Sequence, residues 1–228
     1  MSVQAEVRPA RSAEKMRIVV VDDHRMFAQL LAITLGDQPD MECVGIANDV
    51  ATALSMVTAL RPDLVLMDAR LQDGDGVAAT AELVATNPGL RVAVLSGFID
   101  TALMRRAAEA GACALHPKDG DLEEILSAVR RARAGTFVVQ PQLLRSLVAQ
   151  SRDAQPLHPP LTEREHAVLQ FLAAGLDASV IARELGISVN TCRGYVKNLL
   201  TKLGAHSQLE AVVFALRTGL VGVGDVAP

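Results

Sequence analysis

The stretch RPDLVLMDARLQDGDG, residues 61–76, joins an apolar run to an aspartate, Asp68. The four residues before Asp68 are Leu, Val, Leu and Met, a pattern typical of a strand buried on both faces. A carboxylate at the end of such a strand loses solvation, which costs free energy unless a cation or a polar group lies beside it. Asp68 is therefore a candidate site residue, and its strand is the starting point for the fold.

Four further apolar runs resemble this one, and they read RIVVV, CVGIA, RVAVL and ACAL. Each of the five runs is followed by a segment with helical spacing, and these segments cover residues 26–35, 50–60, 77–86, 101–110 and 122–134. Because the apolar residues within the runs do not alternate with polar ones, we expect strands buried on both faces. The pattern predicts an α/β domain with a five-stranded, doubly wound parallel sheet.

Polar side chains follow four of these strands at their carboxyl ends. Asp22 and Asp23 follow the first strand, Asp68 ends the third, Ser96 ends the fourth and Lys118 follows the fifth. In parallel sheets these ends meet at one edge. Three carboxylates would repel one another unless a divalent cation lay among them, and hard oxygen ligands suit Mg²⁺. With a lysine and a hydroxyl to bind phosphoryl oxygens, the set is typical of phosphoryl transfer to an aspartate.

The motifs VVVDDH, DLVLMDARLQDGDG, VAVLSG and GACALHPKDG together resemble the receiver domain of two-component response regulators, over residues 16–134. The resemblance implies a flavodoxin-like fold in which Asp68 accepts a phosphoryl group from a sensor histidine kinase. It also implies that Asp22 and Asp23 hold Mg²⁺ together with Asp68 and the backbone carbonyl of Arg70. The matches to Ser96 and Lys118 would contact the phosphoryl group.

Several positions depart from the receiver pattern. Gln72 replaces a frequent proline, Leu115 replaces the aromatic residue that moves with the switch hydroxyl, and Pro117 removes a strand donor, which an edge strand tolerates. Arg70 and Phe98 occupy the two positions that flank the path of hydrolytic water in the receiver family. Because both are large, we expect slow loss of the phosphoryl group.

Two other acids of the quoted stretch have local structural explanations. Asp73 and Asp75 are predicted to be turn and helix-cap residues rather than site residues.

The segment SRDAQPLHPP, residues 151–160, contains three prolines and predicts a linker. Behind it, Thr162 and Glu165 form a capping-box pattern, and Asp177 is a candidate cap for a second helix. A third helix follows after a tight turn, which is the helix-turn-helix pattern. The sequence predicts a small all-α domain over residues 161–222, joined to the first by a linker helix and a proline-rich linker at 135–160.

The third helix of this domain carries polar side chains on one face. Arg193 and Lys197 lie four residues apart, so they share that face and can reach guanine acceptors or phosphates. Neutral donors near the same face are Asn190, Thr191 and Tyr195.

The segments LTEREHAVLQFLAAG, IARELGISVNTCRGYVKNLLTKLG and LEAVVFALRTGLV resemble the LuxR-type helix-turn-helix domain. The resemblance implies that Arg193, Gly194 and Lys197 enter the major groove. A receiver followed by this domain is the arrangement of the NarL/FixJ group, which implies regulation of transcription.

The fourth helix, residues 207–218, carries an apolar stripe whose role the sequence leaves open. Its spacing fits either a core face or a dimer interface, and the stripe consists of Leu209, Val212, Val213 and Leu216. Residues 161–222 contain six Lys or Arg against five Asp or Glu, so one copy would bind few phosphates. A homodimer would double the contacts with double-stranded DNA.

Composition sets further limits. The chain has 228 residues, half of them apolar, and a formal net charge of −4. No apolar run approaches the about 18 residues typical of a membrane span, and residues 1–15 read as a flexible arm without the apolar core of a signal peptide. The three cysteines are far apart and match neither a disulfide framework nor a metal site. We therefore predict a protein of the reducing cytoplasm that does not contact membranes.

Two alternatives to a phosphorylated transcription factor remain at this point. A magnesium-dependent phosphatase with an aspartyl nucleophile usually needs a second acid two residues further on, where this chain has Arg70, so the sequence predicts no enzyme. The other alternative is a phosphate-independent receiver that controls DNA binding through a ligand or partner. Leu115, Gln72 and Pro117 favour that alternative, whereas the acid pair and Lys118 argue against it.

Overall fold

The computed structural model describes residues 15–134 and 160–222. The predicted linker helix and proline-rich linker at 135–160, and the predicted arm at 1–15, therefore lie almost entirely outside the described residues. Among the described helices, none is long and apolar enough to cross a membrane.

The first domain contains a five-stranded sheet with the strand order β2-β1-β3-β6-β7, and all of its strand pairs are parallel. The central strands are buried along nearly their whole length, as expected from their unbroken apolar runs. The strands of this sheet are β1 Met16–Val21, β2 Met41–Ala47, β3 Leu64–Asp68, β6 Arg91–Ser96 and β7 Ala114–Pro117.

Helices cover both faces of the sheet. One apolar cluster joins the sheet to α1 and α5, and a second joins it to α2 and α3. Each fully buried Leu, Ile or Val side chain in these clusters contributes about 1.5–3 kcal/mol. The helices are α1 Arg25–Gly36, α2 Val50–Leu60, α3 Gly76–Thr86, α4 Thr101–Glu109 and α5 Leu122–Ala134. The predicted α/β fold with a doubly wound parallel sheet is confirmed.

Between β3 and α3 the chain forms a two-stranded hairpin that the sequence did not predict. Its strands are β4 Arg70–Leu71 and β5 Gly74–Asp75, and they pair in antiparallel fashion. Asp75 accepts hydrogen bonds from the backbone N–H groups of Val77 and Ala78 at the start of α3, and Asp73 accepts one from Val50 N. The hairpin holds the loop that follows Asp68 in a defined shape.

Pro117 ends β7, which is an edge strand of the sheet. Ser96 O, opposite Pro117 in the register, accepts its hydrogen bond from the backbone N–H of Lys118 instead.

The second domain consists of four helices, which are α6 Glu163–Ala173, α7 Ala178–Leu185, α8 Val189–Leu203 and α9 Gln208–Arg217. Thr162 and Glu165 form the capping box that their spacing predicts. Asp177 caps α7 by accepting hydrogen bonds from Ser179 N and Val180 N. Gly186 has a φ of 64° and ends α7 in the left-handed region, which permits the tight turn into α8.

The two domains contact each other. Helix α4 of the first domain packs against α9 of the second, and one continuous apolar cluster contains buried residues of both helices. Arg131 on α5 donates a hydrogen bond from Nη2 to the backbone carbonyl of Gly175. The pKa of Asp177 lies below its ordinary value, chiefly because Ser179 donates a hydrogen bond to it, and the charge of Arg131 contributes.

Candidate functional site

The carboxyl edge of the sheet brings the predicted site residues together. Asp68 is the last residue of β3 and lies opposite Leu95 of β6, while Ser96 lies opposite Pro117 of β7. Because neighbouring parallel strands end at the same level, residues far apart in sequence lie side by side. This register explains why the polar residues after each apolar run share one site.

Lys118 connects two of the acids. Its Nζ donates a hydrogen bond to Oδ2 of Asp68 at 2.7 Å and forms an ion pair with Oδ2 of Asp22 at 2.6 Å. The ring of Phe27 lies beneath the ammonium group, with its centroid 5.3 Å from Nζ. The backbone N–H of Lys118 donates a hydrogen bond to Ser96 O at 2.8 Å. This bond holds the backbone of Lys118 beside the end of β6. The cation is therefore held between the two carboxylates.

Asp68 is only 4% exposed. Burial raises the pKa of its carboxyl group, while the hydrogen bond from Lys118 and one from Arg70 N oppose this effect. Asp22 is buried as well, and its backbone carbonyl accepts a hydrogen bond from Nδ2 of Asn48. The site thus concentrates negative charge in a partly desolvated position, where a bound cation has a strong effect.

The donor set fits a divalent cation. Four residues each offer one ligand atom to a common site, and these atoms lie within 4.8 Å of one another. The four residues are Asp22, Asp23, His24 and Asp68. Asp22 Oδ2 and Asp23 Oδ1 are buried and receive no hydrogen bond of good geometry, although Lys118 and His24 lie within ion-pair distance. Buried carboxylate oxygens without donors are suited to a hard cation such as Mg²⁺.

His24 is a further candidate ligand that the predicted set of site residues does not contain. Its Nδ1 lies 2.9 Å from Asp23 Oδ1 and 3.3 Å from Asp22 Oδ1, and its side chain is largely exposed. Its position directly after Asp22 and Asp23 in the sequence is the signal that could have identified it as a candidate ligand.

Ser96 lies at the site, but its hydroxyl group is bound elsewhere. The hydroxyl donates to the backbone carbonyl of Phe98 at 2.7 Å and accepts a hydrogen bond from Phe98 N at 3.3 Å. An open cavity of about 300 Å³ lies above Asp68, and Ser96, Lys118 and Arg70 are among its lining residues. Asp68 is therefore reachable from solvent through a pocket that has polar groups of both signs.

In the second domain, α8 presents most of the predicted DNA-contact residues to solvent. Asn190, Thr191, Arg193, Gly194 and Lys197 are exposed. A Cβ atom added at Gly194 would meet nothing within 4 Å, so the glycine does not serve close packing. The exposed face carries two cations and two neutral polar groups, which suits phosphate and base-edge contacts.

Tyr195 differs from its neighbours on α8. Its ring is partly buried and packs against the apolar cluster of the domain. The predicted role of Tyr195 as a neutral donor near Asn190 and Thr191 stays a prediction, since the ring is only partly buried.

Arg193 lies near the first domain. Burial lowers the pKa of Arg91 in β6, and the charge of Arg193 contributes to this lowering. The two like charges therefore lie close enough for Arg193 to oppose the charged form of Arg91.

The apolar stripe on α9 is buried within the single chain. Leu209, Val212, Val213 and Leu216 are each at most 3% exposed, and α9 contacts α6 and α8 as well as α4. The sequence left open whether this stripe is a core face or a dimer interface. In the single chain it is a core face, and α9 also contacts the first domain.

Comparison with known proteins gives matches to both domains. The family model described as the response regulator receiver domain matches residues 18–130. The model described as bacterial regulatory proteins of the luxR family matches residues 159–215.

Similar proteins include the response regulator protein VraR of Staphylococcus aureus, which is 32% identical over 206 residues covering 90% of this chain and 99% of VraR. The receiver domain of a putative response regulator NarL from Mycobacterium tuberculosis is 33% identical, with a TM-score of 0.52 over 54% of this chain and 98% of that one. RcsB from Salmonella enterica serovar Typhimurium, solved on a promoter with phosphomimetic BeF₃⁻, shares the fold at 20% identity. Its TM-score is 0.54 over 90% of this chain and 100% of RcsB.

Proposed function

Because this chain belongs to the response regulators that join a receiver domain to a LuxR-type DNA-binding domain, we propose that it accepts a phosphoryl group on Asp68 and thereby regulates transcription. The observation that carries this proposal is the position of Asp68. It lies at the end of β3, paired with Lys118, next to the acid pair and open to a cavity of about 300 Å³. The phosphoryl donor is a sensor histidine kinase.

Residues of this chain would carry out the transfer in the following way. A carboxylate oxygen of Asp68 attacks phosphorus of the phosphohistidine, a P–O bond forms, the P–N bond breaks, and its electron pair returns to the imidazole. Lys118 would then move its hydrogen bond from the carboxylate to a phosphoryl oxygen, since it has donors to spare. Arg70 N, which donates to Asp68 Oδ1 at 3.1 Å, orients the nucleophile.

Asp22, Asp23, Asp68 and the backbone carbonyl of Arg70 would hold the Mg²⁺ ion. When bound, it would neutralise charge on the phosphoryl oxygens.

The output would depend on the contact between α4 and α9. In this arrangement α4 covers part of α9, so two copies cannot pair through that face of α9 until the domains separate. We propose that phosphorylation favours separation, and that the homodimer then binds double-stranded DNA through Asn190, Thr191, Arg193, Gly194, Tyr195 and Lys197. A regulator of this kind acts on DNA in the cytoplasm.

The domain limits are part of the same proposal. The receiver covers residues 16–134, the linker 135–160 and the DNA-binding domain 161–222.

Incubation of the purified protein with Mg²⁺ and acetyl phosphate tests this function. Intact mass should rise by one phosphoryl group, and the wild type should shift toward a dimer in light scattering. Asp68→Asn should gain no mass, whereas Asp119→Asn, which changes an exposed acid next to Lys118, should behave as wild type. A wild type that neither gains mass with acetyl phosphate nor binds BeF₃⁻ in fluorine NMR would favour the phosphate-independent receiver instead.

A further inference from the structure

Phe98 is an unusual residue for this chain because its side chain is 67% exposed. Only 3% of the residues are aromatic. Large apolar side chains of comparable exposure in the described residues lie on α1, whereas Phe98 lies in the loop after β6, two residues past Ser96. An exposed ring loses the free energy that burial would provide, so its position next to the site calls for an explanation.

A cleft beside Phe98 can receive its ring. The cleft has a volume of about 490 Å³ and lies between the loop that follows Asp68 and helix α4. Ala69, Leu71, Ala102 and Leu103 supply apolar wall, and Phe98 itself lies at the edge. Apolar clefts of this size are large enough for small-molecule ligands and hence for one phenyl ring.

An ion pair closes the cleft on one side. Arg106 of α4 is paired with Asp75, the residue that caps α3. The two walls of the cleft are thus already connected, and a ring between them would contact both.

The backbone of Phe98 is tied to the hydroxyl group of Ser96. That hydroxyl has one proton, which it donates to Phe98 O at 2.7 Å, and it accepts a hydrogen bond from Phe98 N at 3.3 Å. To donate to a phosphoryl oxygen on Asp68, the hydroxyl must leave the Phe98 carbonyl. The proposed chemistry therefore breaks the bond that holds the Phe98 backbone in its present place.

We propose that Phe98 is a latch whose ring moves from solvent into the cleft between the acceptor loop and α4 when the Ser96 hydroxyl turns to the phosphoryl group. This inference rests on the proposed function of Asp68. Phe98 is bonded through its own backbone to the Ser96 hydroxyl, so its ring is placed to follow the movement of that hydroxyl. Because α4 borders the cleft and also packs against α9, ring insertion provides a route from the phosphoryl group to the second domain.

The absence of tryptophan from the sequence makes the latch testable by fluorescence. Phe98→Trp would introduce a single tryptophan, which is expected to emit as an exposed indole in the free protein. After addition of Mg²⁺ and BeF₃⁻, its emission should shift to shorter wavelength and acrylamide quenching should fall at least twofold. Ile33→Trp is the matched control, since Ile33 is 64% exposed on α1 and lies far from the cleft in the fold.

The outcomes separate the latch from the proposed function. Fluorine NMR of each variant shows whether BeF₃⁻ is bound. If it is bound and the tryptophan at 98 stays as exposed as before, or if the tryptophan at 33 shifts equally, the latch is wrong and the phosphoacceptor role stands. If no variant and not even the wild type binds BeF₃⁻, the proposed function fails and the latch fails with it.

Discussion

The ammonium group of Lys118 lies 2.7 Å from Oδ2 of Asp68, although the two residues are 50 positions apart in sequence. Asp22 lies on the other side of the same ammonium group at 2.6 Å. Burial of both carboxylates would be unfavourable without this cation. Lys118 therefore occupies the centre of the site before any phosphoryl group arrives, and it competes there with a divalent cation for the same oxygens.

This competition predicts the effect of Lys118→Gln. Removal of the positive charge should tighten Mg²⁺ binding by at least about fivefold, which corresponds to about 1 kcal/mol for unit charges near 4 Å in a well-screened site. The variant should also accept a phosphoryl group more slowly, because one donor to the phosphoryl oxygens is lost. Calorimetric Mg²⁺ titration measures the first effect, with Lys15→Gln as control; unchanged or weaker Mg²⁺ binding would contradict the prediction.

The residues near the mouth of the site predict a long-lived phosphoryl group. Arg70 lines both open cavities next to Asp68, and Phe98 lines the larger one. Arg70 is large and lines the cavity that opens onto Asp68, so it obstructs the approach of water whether or not the ring of Phe98 has moved into the larger cavity. We expect Asp68 phosphoprotein to persist well beyond a minute and Arg70→Ser to shorten its lifetime several-fold. Decay is followed by intact mass after removal of acetyl phosphate, and decay of the wild type within seconds to a minute would show the idea to be wrong.

Local patterns in the sequence are sufficient to predict the helices and strands and to locate the ends of the strands. Unbroken apolar runs predicted β1, β3 and β6, and the spacing of Thr162 and Glu165 predicted the capping box. Asp68 and Lys118 were placed at one edge because parallel strands end together, a rule that needs no side-chain detail.

Features that depend on contacts between distant segments were not predictable in this way. The tie between Ser96 and Phe98 depends on the shape of one loop, and the contact between α4 and α9 depends on how two domains meet. The ring of Tyr195 packs partly on the core cluster, although its spacing places it near the exposed face. Helical spacing alone does not resolve a position at the boundary between the two faces.

The hydrogen bond between the domains predicts the effect of Arg131→Ala. Arg131 donates to Gly175 O, and a hydrogen bond from a charged group contributes about 1.5–3 kcal/mol. Its loss should favour separated domains and raise the DNA affinity of the unphosphorylated protein about tenfold. Arg130→Ala is the matched control, because Arg130 is the preceding residue but pairs with Asp40 inside the receiver. DNA affinity is measured by fluorescence anisotropy. Equal DNA affinities of the two variants would show that the Arg131–Gly175 hydrogen bond does not hold the domains together.

Salt dependence should separate the roles of the two cations on α8. Lys197→Ala should lower the slope of log affinity against log salt by roughly one, since one phosphate contact is lost. Arg193→Ala should in addition cost about 1–3 kcal/mol on a specific operator if the guanidinium contacts a guanine. Arg105→Ala, on the exposed face of α4 and paired with Glu109, should leave the slope unchanged. A Lys197 variant with the wild-type slope would exclude that residue from the phosphate contacts.

Glu165 predicts a pH dependence of stability in the DNA-binding domain. Its Oε2 accepts hydrogen bonds from Lys202 Nζ at 2.7 Å and from Thr162 N at 2.8 Å. The bond from Lys202 is the main reason that the pKa of this carboxyl group lies below its ordinary value of 4.5. A folded-state pKa below the unfolded one means that the unfolded state binds more protons, so stability rises with pH across that interval.

The resulting stabilisation is complete above the unfolded-state value of 4.5 and is lost as the pH falls through the lower folded-state pKa. Glu165→Gln should be less stable by about 1–2 kcal/mol at neutral pH, and it should lose this acid-dependent component. Urea unfolding of the full chain can be followed by fluorescence of Tyr195, which is the single tyrosine of a sequence without tryptophan and lies on α8. If the wild-type and Gln proteins showed the same pH profile between neutral pH and the acid limb, the Lys202 ion pair would not stabilise this domain.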